Sequence, residues 1–282
     1  MFPRLVGMVG PPSPEREAQR EDKIMKEIWV TSLVSSEDLV KKLISQMKTY
    51  GLEVKGHFWS DDLEKVAWMG ARDELLDSKV ALWGILTSDE GLLKPTIRYG
   101  LSLLAITVQA QRGLNFPILI LQTMGEPVSA EKLTTPLMGV DVLSVSDPGV
   151  GAKLVAKAHK SDREISSEYR LDTYGSAQIG QWFEVGPENT SWPGSMFGVA
   201  GANIAFHAIG PKGRLPSQSV LNYPMKGLKL NLAETEYGAW AVQNELDTET
   251  SYFVKVEGFP ESIVFGPYST EEAADLYVVK LK

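Results

Sequence analysis

The sequence contains no cysteine. That single absence excludes disulfides, thiolate nucleophiles and Cys-based zinc or iron–sulfur sites together. Its three histidines, His57, His159 and His207, stand far apart without ligand spacing, so no metal and no cofactor is expected. Positive charge is also short, with 28 Lys and Arg against 36 Asp and Glu and a net charge of −8. A chain whose main partner is nucleic acid needs the opposite surplus, because Lys and Arg neutralise phosphates. No apolar run approaches the ~20 residues that cross a bilayer. The run Leu5 to Gly10, cut off by Pro11-Pro12-Ser13-Pro14, is too short for a signal-peptide core. The expectation is a cytoplasmic protein with neither membrane nor nucleic-acid partners.

Glycine loops for phosphate are missing too. No G-x-G-x-x-G follows the first strand-like run, and no G-x-x-x-x-G-K-[ST] occurs anywhere, which disfavours a dinucleotide-binding Rossmann site and a P-loop. The G-x-S-x-G elbow of the serine hydrolases is likewise absent.

What is present suits a folded protein of two parts: 282 residues, 43% hydrophobic and 23% charged. Residues 1–24, rich in proline and charge, read as a flexible arm. From 25 to 160 strand-like and helix-like patterns alternate. Ile28 to Leu33, Val54 to Trp59, Val80 to Leu86 and Phe116 to Leu121 have strand character, the last two as nearly unbroken apolar runs. Between them, Ser35-Ser36-Glu37-Asp38 starts a helix whose apolar face is Leu39, Val40, Leu43, Ile44 and Met47. Leu63 to Asp77 carries a second helical pattern through Ala67, Ala71 and Leu75, and Thr96 to Gln111 a third. Val140 to Val145 adds an edge strand and Val150 to His159 a closing helix. Such alternation predicts an α/β fold with a doubly wound parallel sheet.

After a Ser- and charge-rich linker over 160–170 the texture changes. Residues 169–282 show short β-leaning runs separated by Gly and Pro: Gln181–Val185, Ile204–Ile209, Leu228–Leu232, Ala239–Val242, Tyr252–Val256 and Ile263–Phe265. These predict a β-rich, sandwich-like or α+β domain. Ser269-Thr270-Glu271-Glu272 reads as a capping box for a final helix through Ala273, Leu276 and Tyr277, with Val278-Val279 leaving a strand as the alternative.

In an open parallel sheet, ligands sit outside the carboxyl ends of the strands. Polar residues occupy each of those ends: Thr31-Ser32, Ser60-Asp61-Asp62, Thr87-Ser88-Asp89-Glu90 and Gln122-Thr123. Hydroxyls beside carboxylates suit a ribose, a phosphoester or a partner's basic residue. The same residue types also serve as helix caps and turn residues. Trp59 and Trp68 flank the acidic loop, either stacked on a base or sugar or packed between helix and sheet. Trp29 and Trp83 sit within strands and read as core.

These features resemble the Toll/interleukin receptor (TIR) family. Ile28-Trp29-Val30-Thr31-Ser32 with Ser35-Ser36-Glu37-Asp38 is similar to its opening strand and helix start. Leu39 to Gly51 and Glu53-Val54 are similar to its first helix and second strand, and Ser78 to Ser88 to its third strand. The resemblance spans roughly residues 25–125 and implies a flavodoxin-like α/β domain that binds protein partners or a small nucleotide-like ligand. Thr31, Ser32, Trp59, Ser60, Ser88, Arg98 and Tyr99 would then line the ligand. Enzymes of this family cleave NAD with a Glu on the helix after the third strand. Here that position falls at Tyr99 or Gly100, and neither can stabilise an oxocarbenium-like cation. The resemblance therefore implies a signalling or interaction role without catalysis. A second resemblance, to nucleoside deoxyribosyltransferases, would make Asp61, Asp62 and Glu90 the catalytic carboxylates of an N-glycosidic-bond enzyme. A structural subunit assembling as a homo-oligomer is the third reading.

In the second half, Trp182, Trp192 and Trp240 with Tyr223, Tyr237, Tyr252 and Phe259 suit either a sugar- or peptide-binding face or a sandwich core, and the Trp192-Pro193-Gly194 loop is expected to be exposed.

Overall fold

The structure is a computed structural model that describes residues 26–125, 127–159, 165–268 and 275–282. The arm expected over 1–24 and the Ser269–Glu272 capping box lie outside the described residues, as does the 160–164 part of the linker.

Five parallel strands form the first sheet: β1 (Glu27–Ser32), β2 (Glu53–Phe58), β3 (Val80–Thr87), β4 (Ile118–Gln122) and β5 (Asp141–Ser144), in the order β2-β1-β3-β4-β5. That is the flavodoxin-like order, with its switch point between β1 and β3. Side chains alternate across the pleat. Ile28, Val30, Leu82, Leu86, Leu119 and Leu121 face one side, where α1 (Glu37–Thr49) and α4 (Val150–Ala158) contribute Leu43, Met47, Val150 and Leu154. Trp29, Trp83, Ile85, Ile118 and Ile120 face the other, where α2 (Arg72–Leu76) and α3 (Pro95–Arg112) lie. The Ser36 side chain caps α1 by accepting the Leu39 N–H at 3.4 Å.

The helix predicted over 63–77 is a correction. Only Arg72–Leu76 is α-helical, preceded by a 3-10 turn over Ala67–Ala71. Val66 adopts φ +55, and the Asp62 carboxylate takes the Lys65 N–H at 3.1 Å. A side chain that bonds nearby backbone competes with the helical ladder.

The second half is two antiparallel sheets. One holds β6 (Tyr169–Ser176), β7 (Gly180–Pro187), β12 (Thr250–Glu257) and β9 (Asn203–Pro211), in that order. The other runs β10 (Met225–Leu232), β11 (Thr235–Val242), β8 (Ser195–Ala200), β13 (Ser262–Pro267) and β14 (Tyr277–Lys280). Aromatic contacts join them: Phe183 lies 5.4 Å from Phe197 and His207 lies 4.8 Å from Trp240, centroid to centroid. Such pairs contribute ~0.5–1.5 kcal/mol each beyond their area. Tyr277–Lys280 is a strand, the alternative that Val278-Val279 left open, because Val278 and Val279 pair with Val264 and Ile263 and β-branched residues fit a pleat; the start of the expected helix, through Ala273, lies outside the described residues. Trp192 is another correction. It is 5% exposed, held by backbone bonds with Leu246 in both directions at 2.8 and 2.9 Å.

The two halves share one core. From Tyr99 to Val108 α3 is buried without interruption, sheet on one side and sandwich on the other. Thr107 Oγ1 lies 2.7 Å from Thr173 Oγ1, Ser102 Oγ lies 3.1 Å from the Leu281 carbonyl, and Gln181 Nε2 donates to the Tyr99 hydroxyl. No helix among the described residues is long and apolar enough to cross a membrane.

Candidate functional site

At the strand ends of the parallel sheet most polar side chains already have a structural partner. Thr31 is buried and accepts the Trp83 indole N–H at 2.9 Å. Ser32 Oγ donates to the Val34 carbonyl at 2.7 Å, and Ser88 Oγ accepts the Gly91 N–H at 3.2 Å. Both hydroxyls close turns. Asp62 is held by the Lys65 ammonium at 2.8 Å, whose hydrogen bond keeps that carboxyl below its ordinary range. Asp61, exposed, accepts from Thr96 Oγ1 at 2.8 Å and ties the loop after β2 to the start of α3. Ser60 and Glu90 are exposed. Arg98 is half-buried, and desolvation lowers its pKa from the ordinary guanidinium value. Its Nε and the Trp59 indole N–H are buried without hydrogen-bond partners.

The structure thus gathers Trp59, Asp61 and Thr96 at the head of α3, but sends Tyr99 the opposite way. Tyr99 is 0% exposed, packs edge-on against Phe259 at 5.7 Å, and its phenol is pushed upward by burial. Gly100 is in contact with Trp59: a Cβ there would lie 2.7 Å from Trp59 Cζ2 and 3.3 Å from Trp68 Cβ. The space that a side chain at position 100 would enter is filled by the Trp59 indole.

A second site was not singled out by the sequence. A groove of 760 Å³ runs between the C-terminal part of α3 and the β6–β7 hairpin, with Gln109, Gln111, Asp172, Glu184 and Lys212 among its polar lining and Ile106 and Leu114 among its apolar lining. Volumes of ~300–1,000 Å³ are usual for small-molecule pockets. Asp172 and Glu184 are directly opposed across the hairpin. Directly paired residues have Cβ atoms ~4.5–5.5 Å apart, and like charges in that relation destabilise. Both are buried, at 6% and 3% exposure.

Their environments differ. Glu184 accepts the Gly213 N–H at 2.8 Å and the Tyr174 hydroxyl. Asp172 accepts Gln111 Nε2 at 2.8 Å and the Thr173 N–H at 2.7 Å. Burial pushes the Asp172 carboxyl up to about 6, the Glu184 charge adding to this and the two hydrogen bonds opposing it. Arg170, on the same strand, directs its guanidinium to the Thr250 carbonyl at 2.8 Å and Ser251 Oγ at 3.1 Å. Among the described residues no Lys or Arg forms an ion pair with either carboxylate.

The hairpin register carries the sequence signal for this pair. Gly180 at φ +72 closes a tight turn that sets Ser176 opposite Gly180, and counting outward brings Asp172 opposite Glu184.

A stability effect follows. An acid whose folded value lies above its unfolded one keeps its contribution below the unfolded value of ~3.9 and loses it as pH rises through the folded value. Asp172 therefore costs stability at neutral pH. Asp172→Asn is expected to raise stability by roughly 1–3 kcal/mol at pH 8, the gain disappearing by about pH 4, as read by urea midpoints across that range.

The chain matches no known family, and no curated protein matches it in sequence. Fold and geometry define the class: a doubly wound α/β unit sharing its core with a β-sandwich, with an acid-lined groove at their junction.

Proposed function

We propose that this chain is a binding protein built on a TIR-like α/β unit, with an interaction or ligand-sensing role and no glycohydrolase chemistry at its strand ends. The observation that carries this reading is Trp59 against Gly100, where a Cβ would meet the ring at 2.7 Å. A carboxylate that holds ribose hydroxyls has no room there. The remaining acids support the same reading. Asp62 is tied to Lys65, Asp61 binds Thr96, and Glu90 stands exposed on a short 3-10 turn. The reading includes a cytoplasmic location and a protein or small nucleotide-like partner, and the net charge of −8 speaks against nucleic acid as the main partner.

The test is turnover. The purified full chain, incubated with NAD and separately with deoxynucleosides and a free base, is expected to release no nicotinamide and exchange no base by chromatography. Turnover lost in Glu90→Ala or Asp61→Ala would overturn this proposal in favour of an N-glycosidic-bond enzyme.

A further inference from the structure

We propose that the groove between α3 and the β6–β7 hairpin binds a small ligand carrying an organic cation, an alkylammonium or guanidinium group, seated between Asp172 and Glu184. This goes beyond the reading above and holds whether or not the strand ends are catalytic.

The argument begins with cost. Burying one carboxylate without a cation is unfavourable. Setting two in direct cross-strand register adds their repulsion. A hairpin selected for stability alone would place neutral or opposite partners at this pair. The fold supplies only neutral donors instead: an amide from Gln111, a phenol from Tyr174 and backbone N–H groups from Thr173 and Gly213. Each carboxylate oxygen has two lone pairs, so every oxygen engaged once keeps a site for a further donor.

The surrounding charges do not fill that role. Arg170 lines the groove but directs its hydrogen bonds to backbone carbonyls and Ser251, and it acts on Glu184 and Glu188 only through space. Arg72 pairs with Asp73 at 2.9 Å and acts on Asp172 only through space. Lys212 stands exposed along the groove, and Glu188 adds a further negative charge to its lining. The floor is thus anionic, open to a 760 Å³ space and flanked by Ile106, Leu114 and Met138. That combination suits a cation on an aliphatic body. Two carboxylates beside an apolar wall favour an organic cation over a bare metal ion, because the aliphatic flank can bury the body that carries the charge.

The probes are spermidine for the ammonium and agmatine for the guanidinium, titrated calorimetrically into the full chain in 0.15 M NaCl. That salt level screens attraction to the net surface charge beyond ~8 Å. At least one probe is expected to bind with 1:1 stoichiometry at pH 8. Asp172→Asn and Glu184→Gln are each expected to weaken binding about tenfold or more, whereas Glu131→Gln, an exposed acid elsewhere, leaves it unchanged. Affinity is expected to fall between pH 8 and pH 5 as Asp172 takes up its proton. Near pH 6 binding should release protons, seen as a heat that varies with the ionisation enthalpy of the buffer. Because Asp172→Asn is expected to be more stable than the parent, lost binding cannot be assigned to misfolding. Failure of both probes to bind, or equal affinity in the parent and Asp172→Asn, overturns the proposal. Neither result bears on NAD turnover, so this inference and the preceding reading fail separately.

Discussion

Gly100→Glu is expected to destabilise the protein by about 4 kcal/mol or more, and not to install a glycohydrolase. The substitution has one favourable element, since Glu is the better helix former by up to ~1 kcal/mol. Packing outweighs it. Gly100 is buried on α3, and the first carbon added would lie 2.7 Å from Trp59 Cζ2 and 3.3 Å from the Cβ of Trp68, itself 2% exposed. Overpacking of this kind costs ~1–3 kcal/mol, and a carboxylate buried without a partner adds several more. Gly100→Ala, which carries the clash without the charge, is expected to cost about 1–2 kcal/mol. Its effect falls mainly on Trp59, whose ring is half-buried and lies nearest the added carbon. Urea midpoints and tryptophan fluorescence measure both variants. The Trp59→Ala/Gly100→Glu double variant separates the causes: if the indole is the obstacle, it recovers part of the loss and the two substitutions are non-additive. A Gly100→Glu chain as stable as the parent would show that Trp59 moves aside freely.

How much of this was legible depends on whether the deciding interaction is local. β3 and β4 could be read because strands buried on both faces appear as continuous apolar runs, and their short connections leave little choice of topology. The helix expected over 63–77 had the right spacing at Ala67, Ala71 and Leu75. It was broken by Val66 at φ +55 and by the Asp62 carboxylate on the Lys65 N–H, a competition that hydrophobic period does not show. Trp192 looked exposed because Pro193 and Gly194 follow it, yet its backbone bonds lie with Leu246, far along the chain. The polar runs fall at strand ends such as those of β1 and β3, but the direction of each side chain, at a strand end or on α3, is set by tertiary partners. Thr31 turns to Trp83, and Tyr99 turns to Gln181. The Asp172–Glu184 pairing was readable in principle from the tight turn at Gly180. The groove above it was not, since it exists only because α3 lies along β6, and that placement is tertiary.

The same placement yields the second large effect. Residues 26–159 expressed alone are expected not to fold cooperatively, although they contain the entire parallel sheet. On α3, Tyr99, Ser102, Leu103, Ile106 and Thr107 recur at helical spacing, and contacts from this stripe lead into the second half. Tyr99 meets Gln181 and Phe259, Ser102 the Leu281 carbonyl, and Thr107 and the Leu103 carbonyl meet Thr173. Uncovering Tyr99, Leu103 and Ile106 alone forfeits roughly 5–9 kcal/mol at ~1.5–3 kcal/mol per large apolar side chain. That is comparable to the entire ~5–15 kcal/mol by which a domain is stable. A helix buried all round does not belong to a surface, so α3 functions as the shared core of both halves. The full chain is therefore expected to unfold in one transition, with tryptophan fluorescence, which reports on Trp83 of the sheet and Trp240 of the sandwich, coinciding with far-UV circular dichroism in urea. The 26–159 fragment is expected to keep far-UV helix signal while losing near-UV tryptophan structure and a sharp midpoint. A fragment that melts sharply with its near-UV signal intact would instead show that the sandwich is an attachment, and that α3 tolerates an apolar face in water.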